Sequence, residues 1–287
     1  MILTLSILSD ESLQGCLSTK MNDKGINEMY GSKLFEENNV GVVAFHLSVA
    51  DGNLGCVRQI ANTAREKGQL NEILNSRDLE GRTPLHKASA SGNIQVVKYL
   101  VSQGASLDSG INIKGNLEGT TPLILSCMEG HINVMKYLLD LGSNVRRQAK
   151  NGLSCASWAT LNNKVDVLKY ILPLYPDLVQ KKSFNGRQLL HLASWKGSLA
   201  SAITILKNGG GRTLENEDIE GNTALGLASY FGRLSMVKLL VQNGANINHV
   251  GYHKKDVIEL ARWKGHSEIV NLLNQNKQRT IFRSIIQ

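Results

Sequence analysis

Gly81-Arg82-Thr83-Pro84-Leu85-His86, followed eleven residues after Gly81 by Gly92-Asn93, is the stretch on which the reading of this chain turns. Asp78-Leu79-Glu80-Gly81, which leads into it, is a turn sequence ending on a residue free to take positive φ. Thr83 is placed to cap a helix, and Pro84 falls at the first helical position, where its missing N–H costs nothing. A short helix is expected through Ala88 to Gly92. A second helix follows, with Ile94, Val97, Leu100 and Val101 at helical spacing, and it stops at Gly104-Ala105.

The same frame recurs on both sides. Gly119-Thr120-Thr121-Pro122-Leu123 is followed by Gly130-His131, Gly186 to His191 by Gly197, and Gly221-Asn222-Thr223-Ala224-Leu225 by Gly232. Gly152 opens a weaker copy with Asn163 in place of the second glycine. Gly41 opens another, with His46 and Gly52-Asn53, and a last copy starts at Lys254 and reaches Gly265-His266. The starts at 41, 81, 119, 152, 186, 221 and 254 are spaced 33 to 40 residues apart. Second-helix stripes match as well: Ile132, Met135, Leu138, Leu139 and Leu234, Val237, Leu240, Val241. One such unit cannot bury its own apolar face, so stacking is required.

That period, with T-P-L-H and a later G-H or G-N, resembles the ankyrin repeat over about residues 41–275. The resemblance implies an all-α solenoid of about seven helix-turn-helix units with short finger turns. Residues 1–40 form a non-repeat N-terminal segment, and 276–287 a basic tail or terminal cap. Repeat 4 departs from the pattern. It reads Ser154-Cys155-Ala156-Ser157 and ends with Pro173 and Pro176, so a local irregularity is expected. Extra residues around Asn62–Arg77 and Asp108–Asn116 should lengthen a helix or finger without breaking the stack.

Composition agrees. Hydrophobic residues make up 42% of the 287, enough for a sizeable core, while aromatics are only 5%. Charge is uneven: residues 1–145 carry 12 Lys+Arg against 15 Asp+Glu (−3), and 146–287 carry 20 against 9 (+11). A partner on the second half is therefore expected to be acidic. No run of five basic residues and no nucleic-acid motif appears, so nucleic acid is the less favoured acidic ligand. Cys16, Cys56, Cys127 and Cys155 are far apart with no C-x-x-C pair, so neither a zinc site nor a disulfide framework is expected, and a reduced, cytoplasmic setting is. The apolar run Met1–Leu8 has no basic flank and meets Asp10 and Glu11 at once, which favours a docked or frayed end over a signal peptide. No stretch is long enough for a membrane span.

Residues that could suggest chemistry have simpler readings. His46, His86 and His191 share one repeat position, which in the ankyrin pattern is structural. His249 and His253 are four apart, with His266 nearby, but no acidic or thiol ligand accompanies them on the expected finger. Gly209-Gly210-Gly211-Arg212-Thr213 lacks the phosphate-loop frame and reads as a helix stop. Cys127 and Cys155 have no base arranged beside them. No cofactor and no catalytic residue is expected.

The resemblance implies a non-catalytic, monomeric adaptor, scaffold, assembly chaperone or inhibitor that binds protein on its concave face. The alternatives are a secreted effector with a minor enzymatic activity and a binder of nucleic acid or another acidic ligand. In ankyrin proteins the partner-facing positions lie two before and one after the finger glycine, and at the pair before G-H or G-N. In repeats 1 to 3 that pair is Ala50-Asp51, Ala90-Ser91 and Met128-Glu129. In repeats 5 to 7 it is Trp195-Lys196, Tyr230-Phe231 and Trp263-Lys264, and the finger positions add Phe184, Arg187, Tyr252 and Lys255. Exposed aromatics flanked by cations are the usual make-up of an interface anchor. The expected site is therefore repeats 5 to 7, for an acidic, partly apolar segment. Asn248, eight residues after Leu240, also looks like the ankyrin asparagine that oxygen-dependent hydroxylases modify.

Overall fold

In the computed structural model the backbone is described for residues 39–286, and the described residues form fifteen α-helices and no strand. The segment 1–38, with its apolar start, lies outside the described residues. The chain divides into two compact halves at Lys150/Asn151.

The first half holds α1 (Asn39–Ala50), α2 (Leu54–Glu66), α3 (Leu70–Asn75), α4 (Pro84–Ser91), α5 (Ile94–Ser102), α6 (Pro122–Glu129) and α7 (Ile132–Asp140). First helices α1, α4 and α6 stack in sequence, and second helices α2, α5 and α7 do the same behind them. The second half holds α8 (Cys155–Leu161), α9 (Val165–Leu174), α10 (Leu189–Lys196), α11 (Leu199–Lys207), α12 (Ala224–Tyr230), α13 (Leu234–Gln242), α14 (Val257–Trp263) and α15 (Ser267–Ile286). Here α8, α10, α12 and α14 form one layer, and α9, α11, α13 and α15 the other.

The local chemistry is as the sequence dictates. Helix α4 begins at Pro84 and ends at Gly92, whose φ of 76° is left-handed. Thr121 and Thr223 accept from the backbone N–H of Ile124 and Gly226. Asn163, standing where other repeats have glycine, adopts φ 53°, a conformation asparagine tolerates.

Where it is present, the signature histidine joins its repeat to the next. His86 Nδ1 accepts from Thr83 N–H at 3.1 Å, and its Nε2–H donates to Thr120 O at 3.0 Å. His191 repeats this with Gln188 N–H at 3.3 Å and Asn216 O at 2.9 Å. Both rings are fully buried. Burial holds His86 neutral, with its pKa lowered to about 4, and lowers that of His191 too. His46, buried beside Lys87, falls to about 3, burial being the larger cause. A second set of side chains ties back to the preceding repeat: His131 donates to Ala90 O, and His266 to Tyr230 O.

Several expectations need correction. Gly41 sits inside α1 and is no finger glycine. The expected stripes are only half the buried face. Ile94, Val101 and their counterparts are half-buried, whereas Val96, Val134 and Met236 are buried. Each second helix packs on its own first helix as well as on neighbouring second helices, which widens its apolar face. The extra residues of repeat 1 build α3, whose Ile73 and Leu74 are buried. The long finger of repeat 2 buries Ile111, and Arg77 bridges Gly81 O and Gly110 O at 2.6 and 2.9 Å.

The irregularity expected in repeat 4 is a 3₁₀ turn, Pro176–Gln180, that buries Leu178 and Val179. The triple glycine is a helix stop, with Gly209 left-handed. Helix α15 runs on past residue 275 to Ile286. Finally, Cys56, Cys127 and Cys155 are each disulfide-bonded, and no cysteine among the described residues is free. The expectation of reduced cysteines therefore fails.

Candidate protein-binding face

Three fingers and the ends of three first helices in the second half carry the residues singled out from the sequence. The fingers share one hydrogen-bond pattern. Ser183 N–H donates to Arg187 O, Asp218 N–H to Asn222 O, and Gly251 N–H to Lys255 O, at 2.9 to 3.0 Å. Phe184, Ile219 and Tyr252 are therefore equivalent tip positions. Gly186 (φ 70°) follows the first tip because a Cβ there would stand 3.0 Å from the amide nitrogen of Ile219. In the third finger Lys254 occupies that place with φ 57°, and His253 precedes it with φ 54°. Two successive non-glycine residues in the left-handed region are unusual.

The aromatic side chains fall into two groups. In repeat 5 the Trp195 ring has two cations over it, with Lys196 Nζ at 4.8 Å and the Arg187 guanidinium at 5.6 Å from its centroid. Repeats 6 and 7 share the larger group. Tyr230 contacts Phe231, Tyr252 and Trp263 edge-on, with centroids 4.9, 6.0 and 5.9 Å away. Tyr252 and Trp263 stack at 6.3 Å. Lys264 Nζ stands 4.5 Å from the Tyr230 ring and 4.9 Å from Trp263, and Lys255 stands 5.7 Å from Trp263. Such ring pairs and cation–ring contacts each contribute about 0.5–1 kcal/mol at a surface and hold the rings in one arrangement.

Exposure separates anchors from supports. Phe184 is 71% exposed, Trp263 49% and Phe231 36%, whereas Trp195, Tyr230 and Tyr252 are half-buried. Tyr230 thus packs against the next repeat as well as facing outward. Lys196 and Lys264 are exposed and Lys255 half-buried. Arg187 is tied down: its Nε donates to Asp218 Oδ2 at 3.1 Å, and its Nη2 lies 3.8 Å from Glu220. It positions Trp195 and joins two fingers.

The structure brings all the singled-out residues except Phe184 into these two groups. Two residues that the sequence reading did not include belong beside them. Ile219, at the same offset from Gly221 as Phe184 from Gly186, is 71% exposed, and the offset itself could have found it. His253 packs on Tyr252 at 4.0 Å and on Trp263 at 5.6 Å. In repeats 1 to 3 the corresponding pairs present Asp51, Ser91 and Glu129 as their exposed members.

No group of His, Cys, Asp and Glu among the described residues could hold a metal ion. His249 instead donates to Gly221 O at 2.9 Å. Asn248 is exposed, and its N–H donates to Asn246 Oδ1 at 2.9 Å. No helix among the described residues is long and apolar enough to cross a membrane.

Comparison with known proteins agrees with the repeat pattern. A family model described as ankyrin repeats (3 copies) matches residues 18–110, 107–182 and 190–281. Alpha-latrotoxin-Lg1a of Latrodectus geometricus is 30% identical over 191 residues, which is 67% of this chain and 14% of the toxin. The DNA replication inhibitor plutonium of Drosophila melanogaster is 37% identical over 76 residues, 26% of this chain and 44% of that protein. Human protein phosphatase 1 regulatory subunit 27 is 37% identical over 69 residues, 24% of this chain and 40% of the subunit. The chain thus spans less than half the length of each of these relatives.

Proposed function

Because the chain belongs to the ankyrin-repeat family, we propose that it is a non-catalytic protein-binding module whose partner docks on the fingers and first helices of repeats 5 to 7. The observation that carries this reading is the clustering of Tyr230, Phe231, Tyr252 and Trp263 under Lys255 and Lys264, with Trp195 and Lys196 in the preceding repeat and Phe184 at a finger tip. Ankyrin-repeat proteins act by binding other proteins, and two of the relatives are named as an inhibitor and a regulatory subunit. By analogy this chain is an adaptor, scaffold, assembly chaperone or inhibitor, monomeric on its own.

The partner segment is acidic and partly apolar. Apolar side chains fill the gaps between rings, and carboxylates meet the lysines that ride on those rings. Such charges set on-rate and register more than affinity, so binding weakens modestly with salt. The cytoplasmic placement expected from the sequence loses the support of free thiols, since disulfides persist in oxidising compartments.

A labelled peptide of alternating Glu and Leu, its Lys-for-Glu counterpart and a single-stranded oligonucleotide, each titrated at two salt concentrations, test the reading. The acidic peptide should bind and the basic one should not. Oligonucleotide binding that is tighter and falls steeply with salt would replace the protein partner with nucleic acid.

A further inference from the structure

We infer that the face described above takes its partner as an extended polyproline-type segment with an apolar residue at every third position; this rests on the protein-binding reading proposed above and specifies the shape of the occupant. The added observation is the row of tips Phe184, Ile219 and Tyr252, one per repeat. The first two are 71% exposed, and the third is stacked on Trp263. Hydrogen bonds from the tip amides tie each finger to the repeat before it. Phe184 N–H donates to Asn151 O at 3.4 Å, Ile219 N–H to Asn185 O at 3.1 Å, and Tyr252 N–H to the Asn222 side chain at 3.4 Å. The spacing between tips is thus fixed by the repeats beneath them.

Stacked helices pack with axes about 8–10 Å apart, so equivalent tips recur at about that interval. A polyproline II chain rises about 3.1 Å per residue with three residues per turn, so every third residue faces the same way at intervals of about 9 Å. A β-strand turns its i and i+3 side chains to opposite faces and cannot keep that register. An α-helix matches it only with i, i+7 and needs a groove for a cylinder about 10–12 Å across. Tips recurring once per repeat give side chains at every third position of such a chain one contact each. At the third tip, Tyr252 and the Trp263 ring stacked on it provide the kind of aromatic surface on which extended, proline-containing chains dock.

The charges refine the pattern. Lys182 stands two residues before the first tip, Lys254 and Lys255 follow the third, and Lys264 lies on the Tyr230 and Trp263 rings that the third tip touches. The middle finger is acidic. Its Glu220 lies 3.8 Å from Arg187, and its Glu217 lies 3.7 Å from His249. Carboxylates in the partner therefore belong at the two ends of the segment and neutral residues at its centre.

Fluorescence anisotropy of the full chain with a labelled peptide carrying Leu at every third position, Pro between and Glu at both ends tests this. Two permutations of identical composition place Leu at every second and every fourth position. The every-third peptide should bind about tenfold more tightly than either permutation, and Ile219→Ser or Phe184→Ser, with unchanged urea unfolding, should weaken it about tenfold. Equal binding of all three peptides, or tip variants that bind as well as the parent while Trp263→Ala does not, would overturn the extended register and leave the protein-binding reading standing. If none of the peptides binds, or if binding ignores Trp263→Ala and Trp195→Ala as well, the protein-binding reading falls, and this inference with it.

Discussion

Mild acid should destabilise this protein through its buried histidines. His46 and His86 are held neutral in the folded chain, at pKa values of about 3 and about 4, and burial is the main cause in each. In the unfolded chain a histidine titrates near 6.5. Their folded pKa values are depressed, so the stability they contribute is present above about pH 6.5 and is lost as pH falls from there toward the folded values. Between pH 7 and pH 5 the unfolded histidine takes up about 0.7 of a proton while the folded one takes up almost none. The difference is about 2 kcal/mol for each ring, or about 4 kcal/mol for the two. His191, shifted the same way, adds to it. Geometry supports the sign: protonating His86 Nδ1 would turn it against the Thr83 N–H that it accepts at 3.1 Å. Urea unfolding followed by far-ultraviolet circular dichroism at pH 7 and pH 5 measures the loss. His86→Gln should be weaker at pH 7 and should lose about 2 kcal/mol of the pH dependence. Stability constant within about 1 kcal/mol over this range would refute the reasoning, because it would mean that these rings are solvated in the folded chain.

Leu100→Ala and Leu240→Ala should each cost about 2–5 kcal/mol in urea unfolding, since both side chains are fully buried between second helices; a loss under about 1 kcal/mol would mean that the stacking register is wrong. Protein purified without reductant and then denatured should show no free thiol at Cys56, Cys127 or Cys155 on alkylation and peptide mapping, and labelling of all three would contradict the disulfides. Exposed Asn248 is proposed as a hydroxylation site: its peptide, from animal cells at high oxygen, should include a species heavier by one oxygen, and the absence of that species would count against the assignment.

What could be read from the sequence follows from how local each determinant is. Helix starts at Thr-Pro, left-handed stops at Gly92 or Asn163 and the histidines at 46, 86 and 191 are set within a few residues, and all of these were legible. Gly41 misled because a finger glycine and a helical glycine look alike when the turn residues before them are missing. The disulfides were hidden because four cysteines with no C-x-x-C pair give no spacing signal for which thiols can approach within bonding distance. At the candidate face the offset rule located the residues but not their roles. Arg187 looked like a free cation, yet the acidic residues of the next finger claim it. Lys254 and His253 adopt a backbone that glycine usually takes, and this folds His253 onto the Tyr252 and Trp263 rings. No short-range pattern announces such an arrangement.

The most direct test of the central claim is the affinity of Trp195→Ala, Trp263→Ala and the double variant for the acidic, leucine-containing peptide, measured by calorimetry alongside urea unfolding. Trp263 is half exposed, and Trp195 lies at the end of its helix beneath two cations, so the fold should survive both changes. Each single change should weaken binding by about 2 kcal/mol or more, and substitutions at Ala50, Ser91 and Glu129 should do little. A double variant of normal stability that binds the peptide as tightly as the parent chain would contradict the account.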